Sequence, residues 1–463
     1  AMAATVGLAQ YFAAQGDAVT LLWVPPFESV DDTRAYKLTQ YFFNNHLITL
    51  EILKSSPHML PILWGTEKSS AAVYYHLKEQ SFDAVYFALE GGLGYYTILA
   101  KELGLFESHR KLHVLANAPI TWQAAADRHF LEDLAQVTIA HMERYCAEQA
   151  DSLICSSGYL LGWMKQEGWG VAKNATVLPA LRPFEWRLLS DAVAIRDPDE
   201  PVDELVFFAG PEFHRGLTLF CDALDALAKT HTGRLTVTLM GRFGKILGEH
   251  TGGMVVRRAR RWPFDLKIMP RLTDQQIVSY LKGRRCLAVA TYLSANTPLD
   301  IATCLEEGIP FVATDVGGIA EMIAKKSRVH ALAQRKAAAI AEKIRAALEA
   351  PLRIEPETQA VEKYALWSRH LDDLASASKP ASAGTKFATS KKPPFVSIVM
   401  VHFDRPDYLL QAIDAVEKQD YPNFELILVD DGSKLAESHR LLDSLEPRFK
   451  KRGWKILRKE NKY

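Results

Sequence analysis

Residues 294–321 read SANTPLDIATCLEEGIPFVATDVGGIAE and form the most informative pattern in the chain. A polar loop and a short helical stretch come first, and a Gly-x-Pro turn then leads into a buried strand over residues 311–313. Gly317 and Gly318 follow, and their bare backbone N–H groups could approach a diphosphate beside the next helix N-terminus. The pattern predicts a ligand pocket at a strand end. A tight strand-to-helix turn without a ligand is the alternative, which the spacing alone favours.

Strands and helices alternate on both sides of this stretch. Apolar runs predict strands over residues 18–24, 84–87, 112–116, 152–155, 205–208, 235–240, 266–269 and 287–290. Helical spacing is found over residues 4–15, 95–103 and 131–150. This alternation is typical of parallel, doubly wound α/β sheets, and the Asp- and Pro-rich residues 197–201 separate two of them. We expect a cleft between the carboxyl ends of the two sets of strands, where open α/β sheets bind ligands.

A linker and a third domain follow. Residues 375–392 are rich in Ala, Ser, Thr, Lys and Gly, too few of them apolar to form a core, and a flexible linker of this length holds its ends about 23 Å apart. A third α/β pattern predicts strands over 396–401, 424–429 and 454–457 and helices over 406–418 and 441–445. The predicted domains are residues 1–182, 183–375 and 395–463, joined by the linker 376–394. We expect the first domain to lack its first strand, the last helix of the second to return to the first, and the third to be the N-terminal half of a nucleotide-binding domain.

The overall composition excludes several classes of protein. The chain has 463 residues, 48% apolar and 24% charged, as ordinary globular proteins do. Its 55 Lys and Arg residues balance 55 Asp and Glu residues, so no net field attracts nucleic acid or anionic lipid. Five scattered cysteines without a CxxC pair argue against a disulfide framework or a structural zinc site and favour a reducing, cytoplasmic setting. No apolar run is long enough to span a membrane, and a signal peptide stays an open alternative.

Several segments of residues 1–375 share their residues with one enzyme family. The pattern of 294–321 resembles the donor-binding half of group 1 (family four) retaining glycosyltransferases of GT-B fold, E-N-S-P-x-x-V-x-E-C-L-x-x-G-I-P-F-x-A-x-D-V-G-G-I-x-E. Agreement extends to the segments GLGYY (92–96), MER (142–144), RGL (215–217) and RWP (261–263). The resemblance implies two Rossmann-like, doubly wound domains facing each other across a cleft, the first on the acceptor side and the second on the nucleotide-sugar side.

The same resemblance implies the reaction and its partners. It implies transfer of a sugar from a UDP-, GDP- or ADP-linked donor to a glycan or lipid-linked acceptor during polysaccharide or cell-envelope synthesis. No cofactor and no nucleic acid are expected for the GT-B part. A cytoplasmic protein is expected, with a peripheral position at the inner face of the membrane as an alternative.

Individual site residues follow from the family pattern. It places donor contacts at Gly210, Arg215, Asn296, Thr303, Thr314, Gly317 and Gly318. It places acceptor contacts at Glu90, Gly92, Asn117 and Trp122. Core packing explains Trp122 equally well, and so does a surface position for Glu90.

The polar residues that the family uses are replaced in this chain. Its paired glutamates fall on Ala295 and Thr303, one of its two diphosphate cations falls on Gly210, and its histidine falls on Asn117. The catalytic residue is therefore left unassigned. Each lost charge-assisted contact costs about 1.5–3 kcal/mol of binding. A second hypothesis follows, in which the GT-B part is a pseudoenzyme that holds a glycan or a protein for the attached GT-A domain.

Two groups of charged residues could bind a ligand, but a structural explanation is favoured for each. Glu306 and Glu307 could replace the lost carboxylates, but a solvated helix end is the favoured interpretation. A cluster of arginines could bind an anion, and a solvated helix face is again favoured. This cluster consists of Arg257, Arg258, Arg260 and Arg261.

The third segment is similar to the opening of family two inverting glycosyltransferases of GT-A fold. The similarity rests on VDDGS at residues 429–433 and QDYP at 419–422. It implies nucleotide binding by Asp404, Asp430 and Asp431, with a capped turn as the structural alternative. His402 is interpreted as a strand-end residue. A divalent metal, Mg²⁺ or Mn²⁺, is expected only for a complete GT-A domain, and no metal ligand is predicted in this chain.

Overall fold

The computed structural model consists of two compact units, residues 1–377 (unit 1) and 378–463 (unit 2). The described residues are 2–25, 31–53, 65–107, 109–183, 200–209, 212–241, 243–246, 248–270, 272, 274–377 and 394–460. Unit 1 contains two halves, which we call the N-half (residues 2–183) and the C-half (residues 200–358). Both halves are built on parallel sheets covered by helices, so the predicted α/β class is confirmed.

The N-half holds two parallel sheets. Strands β1 (Thr20–Trp23) and β2 (Thr49–Ile52) form one, and β3 (Ala84–Ala88), β4 (Lys111–Ala116), β5 (Ser152–Cys155) and β6 (Ala175–Val177) form the other in that order. The helices are α1 (Met2–Gln15), α2 (Asp32–His46), α3 (Gly65–Lys78), α4 (Tyr95–Glu102), α5 (Ile120–Asp127), α6 (Leu134–Gln149) and α7 (Gly158–Gln166). Ala116 pairs with Cys155 in register, so the carboxyl ends of β4 and β5 meet at one edge.

The C-half holds a six-stranded parallel sheet of order β11-β8-β7-β12-β13-β14. Its strands are β7 (Glu204–Ala209), β8 (Thr236–Gly241), β11 (Asp265–Met269), β12 (Cys286–Ala290), β13 (Phe311–Thr314) and β14 (Leu332–Ala333), and β9 (Lys245–Ile246) with β10 (Glu249–His250) forms a small antiparallel hairpin. Its helices are α8 (Leu217–Leu227), α9 (Thr251–Ala259), α10 (Asp274–Lys282), α11 (Leu299–Glu306), α12 (Ile319–Met322), α13 (Lys325–Ala331) and α14 (Ala337–Glu349).

The central strands of the C-half are apolar throughout because helices cover both faces of the sheet. All five residues of β12 are buried. Phe220 and Ile344 pack on one face, where the rings of Phe207 and Phe220 stack at 4.5 Å. Ile301 packs on the other face. The continuous apolar runs in the sequence are therefore the direct cause of this doubly covered sheet.

A long C-terminal helix, α15 (Ala360–Ala377), packs on the N-half. The indole Nε1 of Trp367, which is 3% exposed, donates to the carbonyl oxygen of Pro179 at 2.9 Å. The ring of Tyr11 in α1 stacks on Tyr364 at 5.4 Å, and its hydroxyl lies 2.7 Å from Ser368 Oγ. The chain thus crosses between the halves twice, once after β6 and once before α15.

The element boundaries differ from the predicted ones where local side chains set them. Helix α6 begins at Leu134 instead of residue 131, because the Asp133 carboxylate caps it by accepting from Gln136 N at 2.8 Å. Helix α15 continues to Ala377, whereas the linker was predicted from residue 375; residues 378–393 lie outside the described part. The short strands β2 and β6 were not predicted.

Unit 2 is a three-stranded parallel sheet of order β15-β16-β17 with two helices. Its elements are β15 (Val396–His402), α16 (Pro406–Glu417), β16 (Phe424–Asp430), α17 (Ala436–Arg452) and β17 (Lys455–Arg458). The core contains Leu426 and Leu428 of β16 and Phe449 of α17. Among the described residues of both units, none of the helices is long and apolar enough to cross a membrane.

Candidate functional site

The Gly-Gly loop after β13 lies where the sequence predicted it, and its conformation requires glycine. Gly317 has a φ of 58°, in the left-handed region. A Cβ atom at Gly317 would overlap the carbonyl oxygen of Ala295, and one at Gly318 would lie 2.6 Å from the carbonyl oxygen of Asn296. Thr314 at the strand end is buried, and its hydroxyl donates to the Tyr292 carbonyl at 2.6 Å. The loop is therefore pressed onto residues 295–296.

This packing uses a backbone donor that a diphosphate would need. Gly318 N donates to the carbonyl oxygen of Ala295 at 3.1 Å. The following helix, α12, is only four residues long, so few aligned peptide dipoles point at the loop. In this conformation the loop resembles the tight turn that was the alternative interpretation.

A polar cluster joins the two halves beside this loop. Asn296 Nδ2 of the C-half donates to the Asn117 carbonyl at 2.7 Å and to Ser156 Oγ at 2.8 Å in the N-half. Its Oδ1 accepts from Ser157. Thr297 Oγ1 lies 3.1 Å from both Asn117 Oδ1 and Ser156 Oγ. The predicted donor residue Asn296 and the predicted acceptor residue Asn117 are thus in direct contact.

Glu90 anchors the N-half side of the cluster. Its Oε1 accepts from Asn117 N at 3.0 Å and Ala118 N at 2.5 Å. Its Oε2 is buried and has no hydrogen-bond partner among the described residues. A cavity of about 40 Å³ adjoins it, with room for roughly three water-sized groups. The cavity is lined mainly by apolar side chains, and its polar lining residues are Glu90, Asn117, Ser156 and Thr5.

Glu143 is a site residue that the sequence analysis did not select. It is 1% exposed, and its two carboxylate oxygens accept from Gly91 N at 2.8 Å and Ile120 N at 2.7 Å. It therefore ties the loop after β3 to the start of α5. Burial raises the pKa of Glu143 to about 8, against the opposing effect of these N–H donors. An available signal was an acid on the same helix stripe as the buried Cys146 and Ala147.

Arg215 is the remaining family cation, and it is paired within the C-half. Its Nε lies 3.1 Å from Glu212 Oε2, and its Nη1 lies 3.8 Å from Asp300 Oδ2. Asp300 also accepts from the Tyr292 hydroxyl at 2.6 Å. Gly210, the other position of the pair, lies outside the described residues.

The two positions of the family glutamates are packed into the protein. Ala295 is 2% exposed and belongs to the core beneath the sheet. Thr303 is 8% exposed, and its hydroxyl donates to the Leu299 carbonyl one turn earlier in α11 at 2.8 Å. Neither side chain presents a carboxylate, and the Thr303 hydroxyl proton is used within its own helix.

Trp122 and Gly92 have clear packing roles. Trp122 is 5% exposed, and its Nε1 donates to the Tyr159 hydroxyl at 3.3 Å. Gly92 has a φ of 62°, and a Cβ there would lie 2.5 Å from Met142 Cβ. Both residues therefore shape the N-half behind the polar cluster.

The interpretation of Glu306 and Glu307 as a solvated helix end is wrong. Their side chains are only 13% and 6% exposed. Glu306 binds Arg182 Nη1 and Lys363 Nζ, each at 2.7 Å, and Glu307 lies 3.2 Å from Lys282 Nζ. Burial raises the pKa of Glu306, but the charges of Lys363 and Arg182 outweigh it and lower the pKa below its ordinary value. The end of α11 faces both chain crossovers instead of solvent, which is why its acids are paired.

Replacing Glu306 with glutamine is expected to lower the free energy of unfolding by about 1–3 kcal/mol, because Arg182 and Lys363 lose the carboxylate that they share in a largely buried site. Urea denaturation measures this loss. The matched control is Glu349→Gln, whose exposed pair with Arg345 on α14 is worth no more than about 0.5 kcal/mol. Equal losses for the two variants would contradict a crossover role for Glu306.

The arginine cluster of the C-half is engaged in surface ion pairs. Arg258 binds Asp222 Oδ1 at 2.7 Å and also pairs with Asp225, and Arg257 pairs with Glu249. These contacts agree with the interpretation as a charged helix face.

Two of the three predicted aspartates of unit 2, Asp404 and Asp430, accept from backbone N–H groups of turns. Asp404 has a φ of 48°, and its carboxylate accepts from Lys434 N and Leu435 N at 2.9 Å. Asp430 is 2% exposed and accepts from Ser433 N at 3.2 Å, while Asp431 pairs with Lys459 at 2.6 Å. His402 lies buried at the end of β15. No group of three or more His, Cys, Asp or Glu side chains suited to a metal occurs in the described part of either unit.

Two segments of the chain match glycosyltransferase family models. Residues 203–350 match the family described as Glycosyl transferases group 1, and residues 397–463 match Glycosyl transferase family 2. No curated protein matches the chain. The matched segments lie in the C-half and in unit 2, respectively, as the sequence resemblance predicted.

Solved structures of similar fold cover about four fifths of this chain. Anabaena Alr3699/HepE in complex with UDP-glucose is similar with a TM-score of 0.52 and 17% identity, over 81% of this chain and 96% of that one. The same protein with UDP and glucose gives 0.52 and 16% over the same shares. Sucrose-phosphate synthase from Thermosynechococcus elongatus gives 0.48 and 13%, over 80% and 92%. The two Anabaena structures, each with a TM-score of 0.52, confirm the GT-B prediction at the level of fold.

Proposed function

We propose that the chain transfers a sugar from a nucleotide-sugar to a glycan acceptor, with the cleft of unit 1 as the donor and acceptor site. The observation that carries the proposal is the pair of glycosyltransferase matches, one in the C-half and one in unit 2. The fold adds support, because the Gly-Gly loop and Asn117 lie together where the carboxyl ends of two parallel sheets meet.

In this proposal the C-half binds the diphosphate of the donor. Arg215 contacts the hydroxyl of Tyr292, whose carbonyl oxygen binds Thr314 at the start of the loop. A diphosphate would displace Glu212 and Asp300 from the Arg215 guanidinium. The Gly317–Gly318 loop would supply backbone N–H groups once it is released from Ala295. Since the Anabaena structure contains UDP-glucose, a UDP-sugar is the first donor to test. The family resemblance implies that this transfer needs no cofactor.

The acceptor binds in the N-half beside Glu90. The free Oε2 of Glu90 can accept from a sugar hydroxyl, and Asn117 and Ser156 offer further polar atoms in the lining of the same cavity. A buried carboxylate oxygen without a donor is costly, so a hydroxyl placed there gains a charge-assisted hydrogen bond.

A second candidate function is a non-catalytic scaffold for a GT-A domain. The buried Ala295 and Thr303 favour it, because neither can hold a donor sugar as a glutamate does. In that case unit 1 binds a glycan or a partner protein without consuming a nucleotide-sugar.

Nucleotide release from UDP-glucose, GDP-mannose and ADP-glucose by the full chain distinguishes the two functions. Transfer activity predicts release from one donor, and Arg215→Ala is expected to lower kcat/KM about 10- to 100-fold, since one charge-assisted contact is worth about 1.5–3 kcal/mol. Arg345→Ala, at an exposed position of α14, is the matched control and should leave the rate unchanged. Absence of release from every donor would contradict transfer in unit 1 and favour the scaffold.

A further inference from the structure

Glu321 of the C-half reaches across the cleft to the first turn of α7 in the N-half. Its Oε2 accepts from Gly158 N and its Oε1 accepts from Tyr159 N, each at 2.7 Å. These are two of the backbone donors that a helix N-terminus leaves without an intrahelical partner. The carboxylate therefore occupies a position that favours an anion.

The contact by Glu321 adjoins a buried contact by Asn296, because the two side chains bind consecutive residues of the N-half. Ser157, the residue that caps α7, donates its hydroxyl to Asn296 Oδ1. The same hydroxyl oxygen accepts from Leu160 N at 3.0 Å, in the first turn of the helix that Glu321 also binds. Asn296 is 5% exposed, whereas Glu321 lies at the solvent edge. Together Glu321 and Asn296 hold residues 156–159 against the C-half.

This contact covers the proposed donor loop. A Cβ at Gly318 would lie 3.1 Å from Ser157 Cβ, and one at Gly317 would lie 3.2 Å from Tyr159 Cε1. Side chains of the N-half therefore lie in contact with both glycines, while Gly318 N is bonded to the Ala295 carbonyl oxygen within the C-half. A diphosphate that approaches the loop from the N-half side needs residues 156–159 to move away, and Gly318 N must in addition be released from Ala295.

We infer that Glu321 and Asn296 form a latch that closes the cleft of unit 1, and that a nucleotide diphosphate binds only when the latch opens. The gating role rests on the proposed function. The exposed carboxylate is the releasable part of the latch, because solvent can replace its two N–H donors. Opening the latch costs free energy, which reduces the net binding free energy of a donor diphosphate. The latch therefore lowers the apparent affinity for the diphosphate.

Opening is measured on the full chain with spin labels on cysteines that replace exposed Glu132 in the N-half and Lys245 in the C-half. The five native cysteines are buried, so they do not compete for the label in the folded protein. Glu321→Ala should shift the inter-label distance distribution to longer values, and Glu321→Gln, which keeps one acceptor oxygen, should shift it less. Glu342→Ala, an exposed acid of the same half, is the matched control.

Nucleotide affinity is measured separately on the unlabelled proteins with UDP as the probe. Glu321→Ala should bind UDP about three- to tenfold more tightly than the parent chain, because less binding energy is spent on opening. An unchanged distance distribution or an unchanged UDP affinity in Glu321→Ala would overturn the latch. If no nucleotide binds either protein while the labels move apart, the proposed function fails and only the structural closure is supported.

Discussion

Replacing Gly317 with alanine is expected to lower the free energy of unfolding by more than about 4 kcal/mol. Two effects add up at this position. The φ of 58° strains any L-residue with a side chain, and the new Cβ would overlap the Ala295 carbonyl oxygen. Because Ala295 sits in a packed core, its backbone cannot move away without disturbing its neighbours. Chemical denaturation of the purified variant measures the loss.

Gly308→Ala separates the steric effect from the backbone strain. Gly308 has a φ of 66°, close to that of Gly317, but no atom lies within 4 Å of the position of its Cβ. This variant should lose only about 1 kcal/mol. Similar losses for the two alanines would show that the loop is not pressed onto residue 295 in solution.

Glu143→Ala should destabilise unit 1 by about 2–5 kcal/mol. The substitution leaves Gly91 N and Ile120 N without acceptors in the interior, and each buried, unpaired N–H costs about 1–3 kcal/mol. Alanine is itself a good helix former, so the loss is not a defect of α6. The exposed Glu79, replaced in the same way, is the control and should change stability by less than about 0.5 kcal/mol.

The same residue predicts a dependence of stability on pH. The pKa of Glu143 rises from 4.5 to about 8 on folding, so the folded protein holds a proton that the unfolded chain releases. The stabilisation that the folded protein gains by holding this proton on Glu143 is fully present below about pH 4.5, and it is lost as the pH rises towards 8. The stability difference between the parent chain and Glu143→Gln should therefore shrink by a few kcal/mol from pH 5 to pH 8. A constant difference over this range would contradict the raised pKa.

The parts of the fold that could be predicted from the sequence are those that depend on residues close together in the chain. Strand β12 was recognisable because a continuous apolar run indicates a buried strand. The Gly-Gly loop was recognisable because paired glycines indicate a turn with left-handed backbone, as Gly317 has. The family resemblance placed Asn296 among the donor contacts, and that assignment stays a prediction. Neither the resemblance nor any local pattern could show that the Asn296 amide binds Asn117, since the two residues are 179 positions apart and belong to different halves.

The misjudged residues are acids whose surroundings come from distant segments. Glu306 looked like a surface residue near a helix end, yet its partners Arg182 and Lys363 arrive from the two crossovers. Glu143 was overlooked because its role is to accept from backbone N–H groups, which have no sequence signature. Both acids lie next to buried apolar positions of their helices, and that placement is the signal that remained in the sequence.

Thermal unfolding of the full chain, titrated with UDP, GDP and ADP, tests nucleotide binding in unit 1 most directly. A ligand present at 100 times its Kd adds about 2.7 kcal/mol of apparent stability. We expect one of the three diphosphates to raise the unfolding midpoint of the parent chain, and Arg215→Ala to abolish the shift. No shift with any of them at millimolar concentration, or the same shift in Arg215→Ala, would contradict a donor site at Arg215 and the Gly317–Gly318 loop.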